Sequence, residues 1–165
     1  MNASFLAIIK PVSEFLASKP ARRLLLIFLL VIIASVEFYN LGLARRTFVF
    51  YTVNDGSIVV EDRMIKRSSS REIDIIRYTE EMLLGPVAPD LQPLFPRETR
   101  LKSLLYRNGV VYADFTADAE LPVEGGTTVN NFRTLYAGIL RNFSFVSDVR
   151  FFIDGNAAYT EEFQQ

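Results

Sequence analysis

Arg100-Leu101-Lys102-Ser103-Leu104-Leu105-Tyr106-Arg107, then Asn108-Gly109, then Val110-Val111-Tyr112-Ala113-Asp114-Phe115-Thr116, is the stretch that decides the fold. Asn-Gly between two strand-forming runs is the strongest short-range hairpin signal, because both residues accept the positive φ of a type I′ turn. A two-residue loop also fixes the register, with Tyr106 opposite Val111 and Leu104 opposite Ala113. Side chains alternate along a strand, so Leu104, Tyr106, Val111, Ala113 and Phe115 share one face, the expected core. Leu101, Leu105, Val110 and Tyr112 share the other with Ser103 and Asp114. Two apolar faces require that the second also be covered, by a helix of the same chain or by another molecule.

Working outward, Thr47-Phe48-Val49-Phe50-Tyr51-Thr52-Val53 is β-branched and aromatic and reads as a strand. Asn54-Asp55-Gly56-Ser57 turns the chain into a second strand over Ile58 to Lys66. Ser69-Ser70-Arg71-Glu72 is a capping-box pattern that opens a helix. This helix carries Ile75, Ile76, Thr79, Met82 and Leu83 on one side, with Tyr78 at the margin and Asp74, Arg77 and Glu81 opposite. Gly85-Pro86 ends it. Pro86, Pro89, Pro93 and Pro96, with Leu91, Leu94 and Phe95 among them, form an ordered loop. Beyond the hairpin, Ala117 to Gly126 is a polar, acidic connection. Thr127 or Thr128 caps a second helix with Val129, Phe132, Leu135, Tyr136, Ile139, Leu140 and Phe143 at helical spacing. Val149 to Gly155 reads as a last strand and turn. The predicted order is ββαββαβ, an α+β domain with two helices against one mixed sheet.

The N-terminal quarter has a different character. Leu24 to Val36 is an uncharged run of thirteen residues, preceded by Lys19, Arg22 and Arg23. At 1.5 Å per residue it covers about 20 Å, short of a hydrocarbon core of roughly 30 Å. Adding Phe38 to Ala44 brings it to span length, with Glu37 as its one charge. Lys10, Lys19, Arg22 and Arg23 against Glu14 place the N-terminus in the cytoplasm and the rest outside. Gly42-Leu43-Ala44 offers a small-x-small cleavage site, so a long signal peptide competes with an uncleaved anchor. Residues 1–21 are thus read as a cytoplasmic tail and 22–44 as a transmembrane signal-anchor or long signal peptide. Residues 45–160 follow as the extracytoplasmic domain, and 161–165 as a tail. In the first segment Phe5, Ile8, Ile9, Val12, Phe15 and Leu16 recur at helical steps, interrupted by Pro11.

Composition narrows the chemistry. The chain of 165 residues has no His and no Cys. That removes the commonest general base, the thiolate nucleophile and most zinc sites. Beyond Ala44 the chain carries 14 Lys+Arg against 17 Asp+Glu. They are dispersed, without the basic stripe that nucleic acid requires. Asp114, Asp118, Glu120 and Glu124 are the densest acidic group, but lack the spacing and Gly of a calcium loop. Gly125-Gly126-Thr127-Thr128 leads into a helix and reads as its cap. No catalytic residue, cofactor or metal is assigned.

Four stretches in order carry a resemblance: Leu83-Leu84-Gly85-Pro86; Leu94-Phe95-Pro96-Arg97-Glu98-Thr99-Arg100-Leu101; the Asn108-Gly109 hairpin; and Val149-Arg150-Phe151-Phe152-Ile153-Asp154-Gly155. Their succession over about residues 47–158 resembles a GerMN domain, the sporulation and germination domain also found in exported bacterial proteins and lipoproteins. The resemblance implies an α+β fold similar to the ring-building domains of envelope-spanning assemblies, and it brings no catalytic residues. This chain departs from the best-known member in having one copy and an apolar segment where a lipidated Cys would stand.

The expectation is a non-enzymatic interaction domain at the outer face of the cytoplasmic membrane that supports assembly or stability of a cell-envelope complex. Its partners are the membrane, envelope proteins and further copies of itself, not nucleic acid. The candidate surface is Leu101, Leu105, Val110 and Tyr112, with Phe152 from the last strand. A second reading is a cell-wall glycan or small-ligand domain using Tyr51, Tyr106, Tyr112 and neighbouring carboxylates in a cleft. A third is a hydrolase working through Asp or Glu, with Asp114 the residue to test.

Overall fold

The computed structural model describes residues 18–40, 42–123 and 127–159. The periodic stretch from Phe5 to Leu16, the Gly125-Gly126 lead-in and the tail 161–165 lie outside the described residues. The chain divides into two units, the second beginning at Leu43.

In the first unit, helix α1 runs over Lys19–Asn40. The sequence expects an apolar span from 22 to 44, but Leu43 and Ala44 belong to the first strand, and Ala44 is buried there. Among the described residues no helix is long and apolar enough to cross a membrane. The reason lies in the flanks: Arg22 and Arg23 precede the uncharged run and Glu37 follows it. Leu24 to Ile33 and Val36 expose their side chains on every side of the helix.

The second unit contains β1 (Leu43–Thr52), β2 (Ile58–Lys66), α2 (Arg71–Leu84), β3 (Leu91–Gln92), β4 (Leu101–Arg107) and β5 (Val110–Phe115). A 3-10 turn at Ala117–Glu120, α3 (Thr128–Asn142), β6 (Asp148–Ile153) and β7 (Asn156–Ala158) complete it. The expected single sheet is in fact two, ordered β2-β1-β3 and β4-β5-β6-β7. The prolines explain the division. They remove backbone donors from the stretch after α2, so only Leu91–Gln92 pairs, and it does so on β1, opposite Tyr51 and Thr52. The hairpin β4–β5 therefore takes its own neighbour, β6, which runs parallel to β5 after the α3 crossover. This second sheet is mixed.

The hairpin register is as the turn dictates: Tyr106 faces Val111 and Leu104 faces Ala113. Asn108 and Gly109 have φ of 52° and 84°. Its core face delivers Val111, Ala113 and Phe115 to one hydrophobic cluster, with Phe151 from β6, Phe48 and Phe50 from β1, and Tyr78, Phe132, Leu135 and Ile139 from the helices. Phe132 is the hinge of this cluster, 5.6 Å from the Phe115 ring and 5.0 Å from that of Phe151.

Helix ends follow local chemistry with one shift. Ser70, one residue later than the capping box implies, accepts from the Ile73 N–H. Glu72 does not return to its own helix start; its carboxylate accepts the Tyr106 N–H of β4 at 2.8 Å. Thr127 caps α3 through the Asn130 N–H. At the other end of α3, Asn142 closes the edge of β1. Its Oδ1 accepts the Thr47 N–H at 2.9 Å and its Nδ2 donates to the Thr47 carbonyl at 2.8 Å. A side-chain amide thus replaces one rung of a strand ladder.

Candidate interaction surface

Cross-strand partners share a face, so the pairing lists the outer surface of the four-stranded sheet row by row. One row is Arg107–Val110–Asp148, the next Leu105–Tyr112–Arg150, and the third Ser103–Asp114–Phe152–Ala157. Helices α2 and α3 pack on the opposite, core side; on these rows Ser103, Leu105, Arg107, Arg150 and Ala157 are exposed, while Val110, Tyr112, Asp114, Asp148 and Phe152 are half-buried. Leu105 is 53% exposed. Tyr112 lies 6.5 Å from Phe152, ring centroid to centroid. The Arg150 guanidinium lies 5.8 Å from the Tyr112 ring.

Four of the five expected residues, Leu105, Val110, Tyr112 and Phe152, are therefore brought together. Leu101 is not. The β4–β5 register shifts between Leu101 and Ser103, leaving Lys102 as an extra residue and placing Leu101 opposite Phe115. Leu101 consequently turns to the core side and packs against the main cluster. There it lines a cleft of about 570 Å³ with Leu83, Leu84 and Arg97. The bulge also aims Lys102 at the far end of the outer face. Its Nζ is 2.9 Å from Asp154 and 3.9 Å from Asp114. The hydrogen bond to Asp154, together with the charges of Asp154 and Asp114, raises the Lys102 ammonium above its ordinary pKa.

The rival chemistries fare differently. Asp114 accepts the Gly155 N–H at 3.0 Å, so it ties β5 to the β6–β7 turn. Among the described residues no three acidic side chains gather to hold a metal ion. The three tyrosines assigned to a cleft lie on separate surfaces. Tyr51 on β1 bonds Thr134 of α3, Tyr106 faces inward with its hydroxyl donating to the Phe145 carbonyl, and Tyr112 faces outward.

Arg107, Asp148, Arg150 and Ala157 are the members of this surface that sequence reading misses. The signal for Asp148 and Arg150 was present in the alternation Asp148, Arg150, Phe152, but it becomes useful only once the parallel pairing with β5 is known.

Residues 49–159, from the middle of β1 to just beyond β7, match the Germane family, described as sporulation and spore germination. The chain belongs to this family. Two solved GerMN structures share this fold. The first GerMN domain of the sporulation protein GerM from Bacillus subtilis is 18% identical, covering 70% of this chain and 86% of that one, with a TM-score of 0.55. The tandem GerMN domains of the same protein are 19% identical at a TM-score of 0.54. That alignment covers 70% of this chain but 40% of the tandem chain. A putative lipoprotein from Clostridium perfringens is 15% identical, covering 72% of this chain and 80% of that one, at a TM-score of 0.48. No curated protein sequence matches. At these identities the likeness is one of fold.

Proposed function

We propose that this Germane domain is a non-enzymatic interaction module, held at the extracytoplasmic face of the cytoplasmic membrane, that supports assembly of a cell-envelope complex. The observation that carries the reading is the outward-facing stripe Leu105–Tyr112–Phe152 with Val110 beside it, Leu105 exposed and the others half-buried, on a sheet whose other face is the core. Sheet faces with aromatic side chains and a charged rim are the ordinary composition of a protein contact. Here the rim is Arg107, Asp148 and Arg150 at one side and Lys102 with Asp154 at the other.

Helix α1 supports the placement. Its apolar side chains point outward all round, which suits hydrocarbon and not water. A run of about 20 Å is shorter than a bilayer core, and is accommodated by local thinning and by Arg22 and Arg23 reaching to the headgroups. Confinement to the membrane raises the effective concentration of the domain for membrane-bound partners without any new contact.

The test is chemical crosslinking of the full-length protein in native membranes, comparing wild type with Leu105→Glu/Tyr112→Ala. Crosslinked envelope proteins recovered with wild type and lost with the variant are the expected result. Recovery of the monomer alone from wild type overturns the reading.

A further inference from the structure

The three-stranded sheet has a free edge, separate from the outer face of the other sheet. β2 ends that sheet, and among the described residues its nine residues pair on one side only, with β1. The Thr47 N–H and carbonyl point away from β2, toward Asn142. In an antiparallel pair opposed residues point either toward each other or both away. Asp62, opposite Thr47, therefore directs its backbone groups to the free edge, and so do Ile58, Val60 and Met64 at steps of two. The Lys66 carbonyl is taken by Arg77. The side chains along this edge are apolar and open: Ile58 is 67% exposed, Val60 52% and Met64 52%. Natural sheets blunt an edge of this length or pair it.

We infer that β2 pairs antiparallel with β2 of a second copy, about a two-fold axis at Asp62, joining two three-stranded sheets into one of six strands. The sequence of the strand selects both the partner and the register. With Asp62 on the axis, Val60 meets Met64 of the other copy, Val59 meets Ile65, Ile58 meets the aliphatic stem of Lys66, and Glu61 meets Arg63, each twice. Moving the axis to Glu61 sets Glu61 against itself and Val60 against Asp62. Moving it to Arg63 sets Arg63 against itself and Val60 against Lys66. Asp62 also meets its copy, but each carboxylate already holds Arg45 and the Thr47 hydroxyl. Two Asp62 and two Arg45 then form a neutral group at the axis. Like charges directly opposed are unfavourable without such compensation.

A strand-edge contact of this length buries less than the roughly 1,200–2,000 Å² of stable complexes. The pairing is therefore weak in dilute solution and effective when both copies share a membrane.

The chain has no Cys, which makes thiol crosslinking a clean readout. Single-cysteine variants Asp62→Cys, Val60→Cys and Met64→Cys of the full chain are reconstituted in liposomes and treated with a short bis-thiol reagent. Asp62→Cys is expected to give a covalent dimer, as is an equal mixture of Val60→Cys with Met64→Cys. Val60→Cys alone is expected to give at least about tenfold less, because its two copies lie roughly 14 Å apart in this register. A monomeric Asp62→Cys, or equal dimer from all variants as in random collision, overturns the proposal. Neither result touches the outer face of the four-stranded sheet, which the Leu105→Glu/Tyr112→Ala comparison tests separately.

Discussion

The Tyr78 hydroxyl on α2 occupies the place where a side chain on Gly138 of α3 would begin. From there it donates to the Thr47 carbonyl at 3.2 Å, so the two helices and β1 meet at one point. Gly138 is present for this close approach, since its backbone is helical and needs no special φ. Gly138→Ala is therefore expected to destabilise the domain by about 1–3 kcal/mol through overpacking, although alanine is the better helix former. Urea unfolding checks the cost. Removing the obstructing oxygen in a Gly138→Ala/Tyr78→Phe double variant is expected to cost less than the sum of the single changes.

Tyr78 also sets an alkaline limit. Burial pushes its phenol pKa well above the ordinary value of 10.0. The unfolded chain loses this proton near pH 10 and the folded chain keeps it, so the unfolded state binds fewer protons above that pH. Stability from this group is then complete below about pH 10 and declines above it, by up to about 1.4 kcal/mol per pH unit. Unfolding measured from pH 8 to 11 is expected to fall less steeply for Tyr78→Phe than for wild type. Parallel curves would remove the effect from Tyr78.

Asn142 makes a prediction about an edge. Its amide accepts the Thr47 N–H and shares the Thr47 carbonyl with the Tyr78 hydroxyl. Asn142→Ala leaves the Thr47 N–H of β1 without that partner, at a cost of about 1–3 kcal/mol. Hydrogen exchange is the sharper readout: the Thr47 amide is expected to lose protection while Phe48, which pairs on the β2 side, keeps it.

Leu101 and Leu105 separate core from surface within one strand. Leu105→Glu on the outer face is expected to change stability by no more than about 0.5 kcal/mol. Leu101→Glu, opposite Phe115 and packed on the core cluster, places a carboxylate against apolar groups and is expected to cost several times as much. Equal melting temperatures would mean that the bulge at Lys102 does not hold in solution.

Those two residues also show where sequence reading stops. Asn108-Gly109 has one low-cost turn geometry, so the register of Leu104 with Ala113 and Tyr106 with Val111 follows from the residues alone. The helical spacing from Val129 to Phe143 and the cap at Thr127 are equally local, whereas the capping box starting at Ser69 gives way to a cap at Ser70 because Glu72 is taken by the Tyr106 N–H. A bulge is not local: alternation places Leu101 outward, and only the pairing shows that Lys102 is inserted. The division into two sheets depends on where a proline-rich loop docks, a long-range outcome to which Leu91 and Gln92 give no signal. The same holds for Arg150 and Asp148, whose place beside Tyr112 and Val110 depends on a parallel crossover. The apolar segment read over 22–44 is shorter as a helix, which ends at Asn40, because Leu43 and Ala44 belong to β1.

The most direct test of the interaction reading replaces Tyr112 with a photo-activatable amino acid in the full-length protein, in living cells, beside a control at the exposed Glu98. The account expects illumination to join position 112, and not position 98, to a defined envelope protein, with the adduct lost when Leu105→Glu is added. An unmodified monomer at position 112, or identical adducts from both positions, would contradict it.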